Sequence, residues 1–200
     1  TINYTELGND WWGGRVDGGE GNDTINVTAS VAYVYSGAGD DTITIEDAGI
    51  YEIDAGDGDD KVTISGSSNK DYGYYNYLRS GDDTLDVSDW SGNTTGTFTA
   101  YGGDGDDTYI GRDVTKTNNS YDQFNGGEGS DRMTGGYADE AFYGGADEDV
   151  LIGNDGDDIL DGGDDDDEIS GGYGSDTITG GDGSDTISGG EGQDIFVYTS

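Results

Sequence analysis

The residues with the clearest chemistry are acids that return at every ninth position. From 126 to 197 the chain divides into eight contiguous nonapeptides, starting at 126, 135, 144, 153, 162, 171, 180 and 189. The clearest are GGEGSDRMT (126–134), GGYGSDTIT (171–179), GGDGSDTIS (180–188) and GGEGQDIFV (189–197), giving Gly-Gly-x-Gly-x-Asp-x-apolar-x. Position six is Asp131, Asp149, Asp158, Asp167, Asp176, Asp185 and Asp194, with Glu140 as the exception. A carboxylate supplies a hard anionic oxygen. The glycines admit backbone conformations closed to other residues, so carbonyl oxygens can turn inward beside it. Carbonyls and carboxylates from adjacent turns together suit Ca2+, which takes about six to eight oxygen ligands.

These donors need elements to hold them. An apolar residue returns in phase at position eight: Met133, Phe142, Leu151, Leu160, Ile169, Ile178, Ile187 and Phe196. It predicts a short strand with that residue pointing inward and its neighbours outward. Two nonapeptides, turn-strand-turn-strand, make one coil of a flattened parallel helix. Coils stack at about 4.8 Å, with calcium between stacked turns. A period of this kind specifies an architecture and a ligand together.

The motif also occurs in the first half, more widely spaced. Copies are GGEGNDTIN (18–26), SGAGDDTIT (36–44), AGDGDDKVT (55–63), LRSGDDTLD (78–86) and GGDGDDTYI (102–110). Their position-six acids are Asp23, Asp41, Asp60, Asp83 and Asp107. Successive starts from 18 to 126 are 18, 19, 23, 24 and 24 residues apart. Eighteen residues are one coil, so these turns stack along one edge, which continues through 126, 144, 162 and 180. The other edge carries the motif only at 135, 153, 171 and 189. Earlier it has loops instead, SGSSNKDYGYYN (65–76), SDWSGNTTGT (88–97) and GRDVTKTNNS (111–120). Strand-like stretches then lead into the next turn, and their alternation puts Tyr33 with Tyr35, and Tyr75 with Tyr77, on one face.

The expected organisation is one unit over 1–200: an N-terminal cap at 1–17, one-edged coils at 18–125, and contiguous nonapeptides at 126–197. Glycines at positions two and four are expected to offer carbonyls: Gly19, Gly21, Gly37, Gly39, Gly56, Gly58, Gly103, Gly105, Gly127, Gly129, Gly172, Gly174, Gly181, Gly183, Gly190 and Gly192. Nine turns on one edge enclose eight intervals and four on the other enclose three, so the chain holds up to about eleven calcium ions. Weaker or empty sites are expected where the motif is imperfect. Those turns carry Ala138 and Glu140, Asp147, Asp165, or Leu78 and Arg79.

At these residues the chain resembles the RTX (repeats-in-toxin) calcium-binding family over most of 18–197. The resemblance implies an all-β, right-handed parallel β-roll with Ca2+ between turns. It also implies export through a type I channel while unfolded, and folding outside the cell or at the bacterial surface as part of a larger protein. Composition is compatible. There are 45 acidic and 7 basic residues, a net charge of −38, and no cysteine. Leu, Ile, Val and Phe together number 32 of 200. Low hydrophobicity with high net charge marks a chain that cannot fold unaided. Calcium binding only to the folded form then becomes folding energy. No apolar run is long enough to span a membrane, and no N-terminal signal peptide is expected. The start at Thr1 and the ending GGEGQDIFVYTS, with no capping segment after it, predict a piece of a larger protein.

Other functions have little support. With no His and no Cys, zinc-peptidase, Ser-His-Asp and Cys-nucleophile sites are absent, and the chain is read as a non-enzyme. The charge opposes nucleic acid. The alternative function rests on 15 Tyr and 3 Trp. The aromatic-rich looped edge near 65–125, with Tyr72, Tyr75 and Trp90, is the candidate surface for a glycan or other surface ligand. The competing reading has the aromatics filling the core and capping the N-terminal end, Trp11 and Trp12 among them.

Overall fold

Strict inward–outward alternation produces strands of three to seven residues separated by glycine turns. A computed structural model describes residues 1–4, 14–28, 33–67, 74–91, 97–113 and 121–198. Twenty strands form two ten-stranded sheets, and strands that are consecutive in sequence fall in opposite sheets. Ile2–Tyr4, Thr24–Val27 and Thr42–Glu46 begin one sheet series. Arg15–Glu20, Tyr33–Ala38 and Glu52–Asp57 begin the other. Every recorded strand pairing is parallel, as in the paired runs Ile25↔Ile43 and Ile43↔Val62. This is a parallel β-roll.

Register follows the motif spacing. One inward column runs Ile25, Ile43, Val62, Leu85, Tyr109, Met133, Leu151, Ile169 and Ile187. The facing column runs Val16, Val34, Ile53, Asn76, Ala100, Phe124, Phe142, Leu160, Ile178 and Phe196. A one-residue slip would turn each column outward, so burial itself holds the register. The single polar member, Asn76, is buried and donates its amide to the Thr99 carbonyl at 3.2 Å. Coils longer than 18 residues keep both columns in step, as in Ile53↔Asn76 and Ala100↔Phe124.

The core is uneven. Phe98, Tyr109 and Phe124 stack in series with ring centroids 6.4 and 4.9 Å apart. Trp90 packs on Phe98 at 5.6 Å, and Phe142 meets Tyr109 edge-on at 5.6 Å. Trp90 is therefore a core residue, only 2% exposed, which corrects its assignment to a ligand-contact surface. The indole lies against Phe98 and the Arg112 guanidinium, on a coil whose second edge has no metal motif. Tyr33 is exposed and Val34 beside it is buried, as alternation predicts. In the last coil Ile187 is half-buried and Phe196 is exposed, unlike their equivalents, because a neighbouring coil covers them on one side only. Trp11, Trp12 and Tyr72 lie outside the described residues.

Candidate metal sites along the edges

The repeated glycines meet a backbone requirement. At Gly127, φ is 125°, and a Cβ there would overlap the Gly103 carbonyl of the neighbouring coil. All sixteen glycines singled out at positions two and four have positive φ. The carbonyls of Gly19, Gly37, Gly103 and Gly172, for example, run along the stack onto equivalent residues of the next coil. The conformation persists without glycine at Arg79 (φ 92°), Asp147 (76°), Asn154 (72°) and Asp165 (75°). Left-handed backbone costs a side-chain-bearing residue roughly 1 kcal/mol, so stacking imposes the turn even where the residue resists it. The 135 turn differs, since Gly136 and Ala138 do not have positive φ.

Each position-six aspartate from Asp41 onward uses one carboxylate oxygen to join coils. Oδ1 accepts the backbone N–H of the equivalent residue one coil earlier. Asp41 takes that of Asp23 at 2.6 Å, Asp60 that of Asp41 at 2.7 Å, and Asp83 that of Asp60 at 2.7 Å. The ladder continues through Asp107, Asp131, Asp149, Asp167 and Asp185. On the second edge Asp158 accepts from Glu140, Asp176 from Asp158, and Asp194 from Asp176. Two acid columns therefore follow the edges that the spacing predicts.

The other oxygen, Oδ2, points inward. In Asp41, Asp60, Asp83, Asp107, Asp131, Asp149, Asp158, Asp167 and Asp176 it is buried and accepts no hydrogen bond. It converges with a carbonyl. A Cβ placed on Gly126 would overlap both Asp131 Oδ2 and the Gly144 carbonyl oxygen. The same overlap recurs at Gly102, Gly144, Gly153, Gly162 and Gly171. Position one is thus a cradle walled by an anionic oxygen of its own turn and a carbonyl of the next. Sequence reading passed over this role, although the paired glycine was its signal. Ser36, Ala55 and Leu78 stand at the same position with their side chains buried, and the Ser36 hydroxyl donates to the Ala55 carbonyl at 2.5 Å.

Burial makes these carboxylates poor anions without a cation. Desolvation, opposed by the accepted N–H, pushes Asp60, Asp83, Asp107 and Asp149 up to about 7. The same cause brings Asp131 and Asp158 to about 8 and Asp167 to about 6. A buried, half-satisfied carboxylate takes either a proton or a cation. Among the described residues no three acidic side chains converge into a ready-made cage. The acids arrive one per turn, so backbone carbonyls must complete any coordination shell. That donor set, all oxygen and mostly neutral, fits calcium.

A second ladder lies outside the first and runs the opposite way. Asp59 Oδ1 accepts the Asp82 N–H at 3.0 Å, Asp82 that of Asp106 at 3.0 Å, and Asp106 that of Ser130 at 2.8 Å. These position-five acids look like solvated charge in the sequence, yet they join coils. One more acid was missed. Asp122 stands in register with Glu140 and is fully buried, so the second acid column starts one coil before its motif. The signal was Asp122-Gln123-Phe124, an acid two residues before an inward apolar residue, as in each nonapeptide.

A family model described as RTX calcium-binding nonapeptide repeat (4 copies) matches residues 15–43, 99–114, 116–136, 122–151, 134–169 and 161–196, more than half of the chain. No curated protein matches the chain. No solved structure matches it either.

Proposed function

The chain belongs to the RTX calcium-binding nonapeptide repeat family, and from that premise we propose a calcium-driven folding module of a larger secreted protein. The observation that carries the proposal is the series of buried Oδ2 atoms, of which those of Asp107, Asp131, Asp149, Asp158, Asp167 and Asp176 each lie beside a carbonyl of the next turn. Calcium would supply the positive charge that lets these oxygens stay ionised inside the roll. Asp23, Asp41, Asp60, Asp83, Asp107, Asp131, Asp149, Asp167 and Asp185 would hold ions on one edge, and Glu140, Asp158, Asp176 and Asp194 on the other. The position-one carbonyls, such as those of Gly126, Gly144 and Gly162, lie beside the carboxylates, and the glycines at positions two and four would contribute further carbonyls. Up to about eleven intervals are available.

Without calcium, a chain of net charge −38 repels itself, and the core is too small to compensate. Such a chain suits passage through a type I channel in an unfolded state, followed by folding in a calcium-rich exterior. Secretion, surface location and the stiffening of neighbouring domains are parts of this proposal. No described helix is long and apolar enough to cross a membrane. Equilibrium dialysis with calcium, paired with small-angle scattering, tests the reading. We expect about ten ions per chain. The radius of gyration should fall from the roughly 48 Å of an unfolded chain this long to less than half. A chain equally compact in EDTA would contradict it.

One observation favours a second role in glycan binding. The outer face of one sheet carries Tyr77 stacked on Tyr101, with centroids 5.3 Å apart and planes 9° apart. Beyond Tyr101 a groove of about 200 Å3 is lined by Thr99, Tyr101, Gln123, Asn125 and Tyr143. Aromatic walls with amide groups between them suit a neutral sugar ring. This site lies on the sheet face, away from the looped edge and from Trp90. Glycan-array binding in calcium that disappears in both Tyr101→Ala and Tyr143→Ala is the expected result. Binding unchanged in both variants would remove this role.

A further inference from the structure

We propose that Arg112 is a resident cation standing in for the first calcium of the second edge. The inference rests on the calcium reading and extends it. Asp122 is treated by the fold like every other position-six acid. Its Oδ1 accepts the backbone N–H of Phe98, its counterpart one coil earlier, at 3.2 Å. Its backbone lies in register with Glu140. Its Oδ2 differs from those of the nine aspartates named above. Arg112 Nε donates to it at 2.7 Å, and the terminal Nη2 forms an ion pair with the same oxygen.

Both side chains are fully buried, in a protein with only seven basic residues. The guanidinium also lies 4.5 Å from the Trp90 ring centroid, a cation–π contact out of water. The residue providing it sits where a turn begins. Gly111-Arg112 occupies the place that Gly135-Gly136 takes one coil later, so the side chain springs from position two and enters the interior. On one side of this pair the second edge carries acids; on the other it carries Trp90 and Phe98. Arg112 therefore ends the metal column and joins it to the aromatic core. A permanent charge serves here because the coil of Phe98 offers no acid to share an ion with Asp122.

Calcium stoichiometry in Arg112→Gly, which restores a paired glycine, tests the assignment. One additional ion per chain is expected, at a site close enough to Trp90 for terbium bound there to show indole-sensitised emission that Trp90→Phe abolishes. A folded Arg112→Gly chain with the wild-type number of ions and no such emission would overturn it. Should Arg112→Gly fail to fold, a double-mutant cycle decides. Arg112→Met and Asp122→Asn should each raise the calcium midpoint of folding at least fivefold. Together they should raise it by far less than the product of the two. Multiplicative effects would refute the pairing. Wild-type protein that binds no calcium would instead sink the calcium reading itself, so the two failures are distinguishable.

Discussion

The coils from 33 to 110 and those from 126 to 197 solve one problem with different means. Over the one coil from Tyr33 to Tyr51 the core receives Val34, Ile43, Ile45 and Ile50. Between 150 and 167 it receives only Leu151 and Leu160 as fully buried apolar side chains. At roughly 1.5–3 kcal/mol per buried side chain, the later coil forgoes roughly 3–6 kcal/mol. It is also the coil with an acid column on both edges. The earlier coils gain apolar surface by lengthening through the second edge, and there the motif is absent. On the calcium reading proposed above, the edge motif and the apolar core are alternative sources of coil stability, with Arg112 at the changeover.

The largest effect should come from lowering calcium. Hydrogen exchange at intermediate calcium should show 126–197 losing protection before 33–110. Simultaneous loss in both regions would remove the distinction. Next in size is the aromatic core that serves in place of a second metal column. Phe98→Ala should cost about 3–5 kcal/mol at saturating calcium, read from denaturant unfolding, with calcium stoichiometry unchanged.

Single ligand changes should be smaller and unequal. Asp158→Asn removes a cation donor from the two-edged region and should raise the calcium midpoint about tenfold, roughly 1.4 kcal/mol. Asp83→Asn lies beside Leu78 in a coil supported by apolar packing and should raise it only about threefold. Equal shifts would argue against the comparison.

The pH effect should be smaller still and should change sign with calcium. In the metal-free roll, burial raises the Asp131 and Asp158 carboxyls to about 8 and those of Asp60, Asp83, Asp107 and Asp149 to about 7. Unfolded carboxyls titrate near 4. Between those limits the fold binds more protons than the unfolded chain, so metal-free stability rises as pH falls from 8 toward 4 and is lost as pH climbs back. Protons compete with calcium for the same oxygens. The calcium midpoint of folding should therefore increase between pH 8 and pH 6, measurable by circular dichroism in EDTA-buffered and calcium-buffered series.

Most of the fold was legible because period and register are the same quantity here. Motif starts 18, 19, 23 and 24 residues apart become pairings such as Asp23 with Asp41 and Asp107 with Asp131. Position-six acids were legible for the same reason. Asp122 was not, because nine residues separate it from Arg112, whereas only three stand between positions two and six of a nonapeptide. The insertion hides the shared geometry. Trp90 was misjudged because loop composition says nothing about which way a loop folds. The cradle at position one emerges only when two coils are superposed, since its walls come from Asp131 and Gly144 on different turns. Ser36, Ala55 and Leu78 put side chains into that cradle, a departure that a turn-by-turn reading weighed only for Leu78.

The most direct test is far-UV circular dichroism of the whole chain during calcium titration at pH 7.5, with magnesium as the control. A cooperative coil-to-β transition driven by calcium and absent with magnesium is the expected result. A β-spectrum already complete in EDTA would contradict the account, because calcium binding would then contribute nothing to forming the roll.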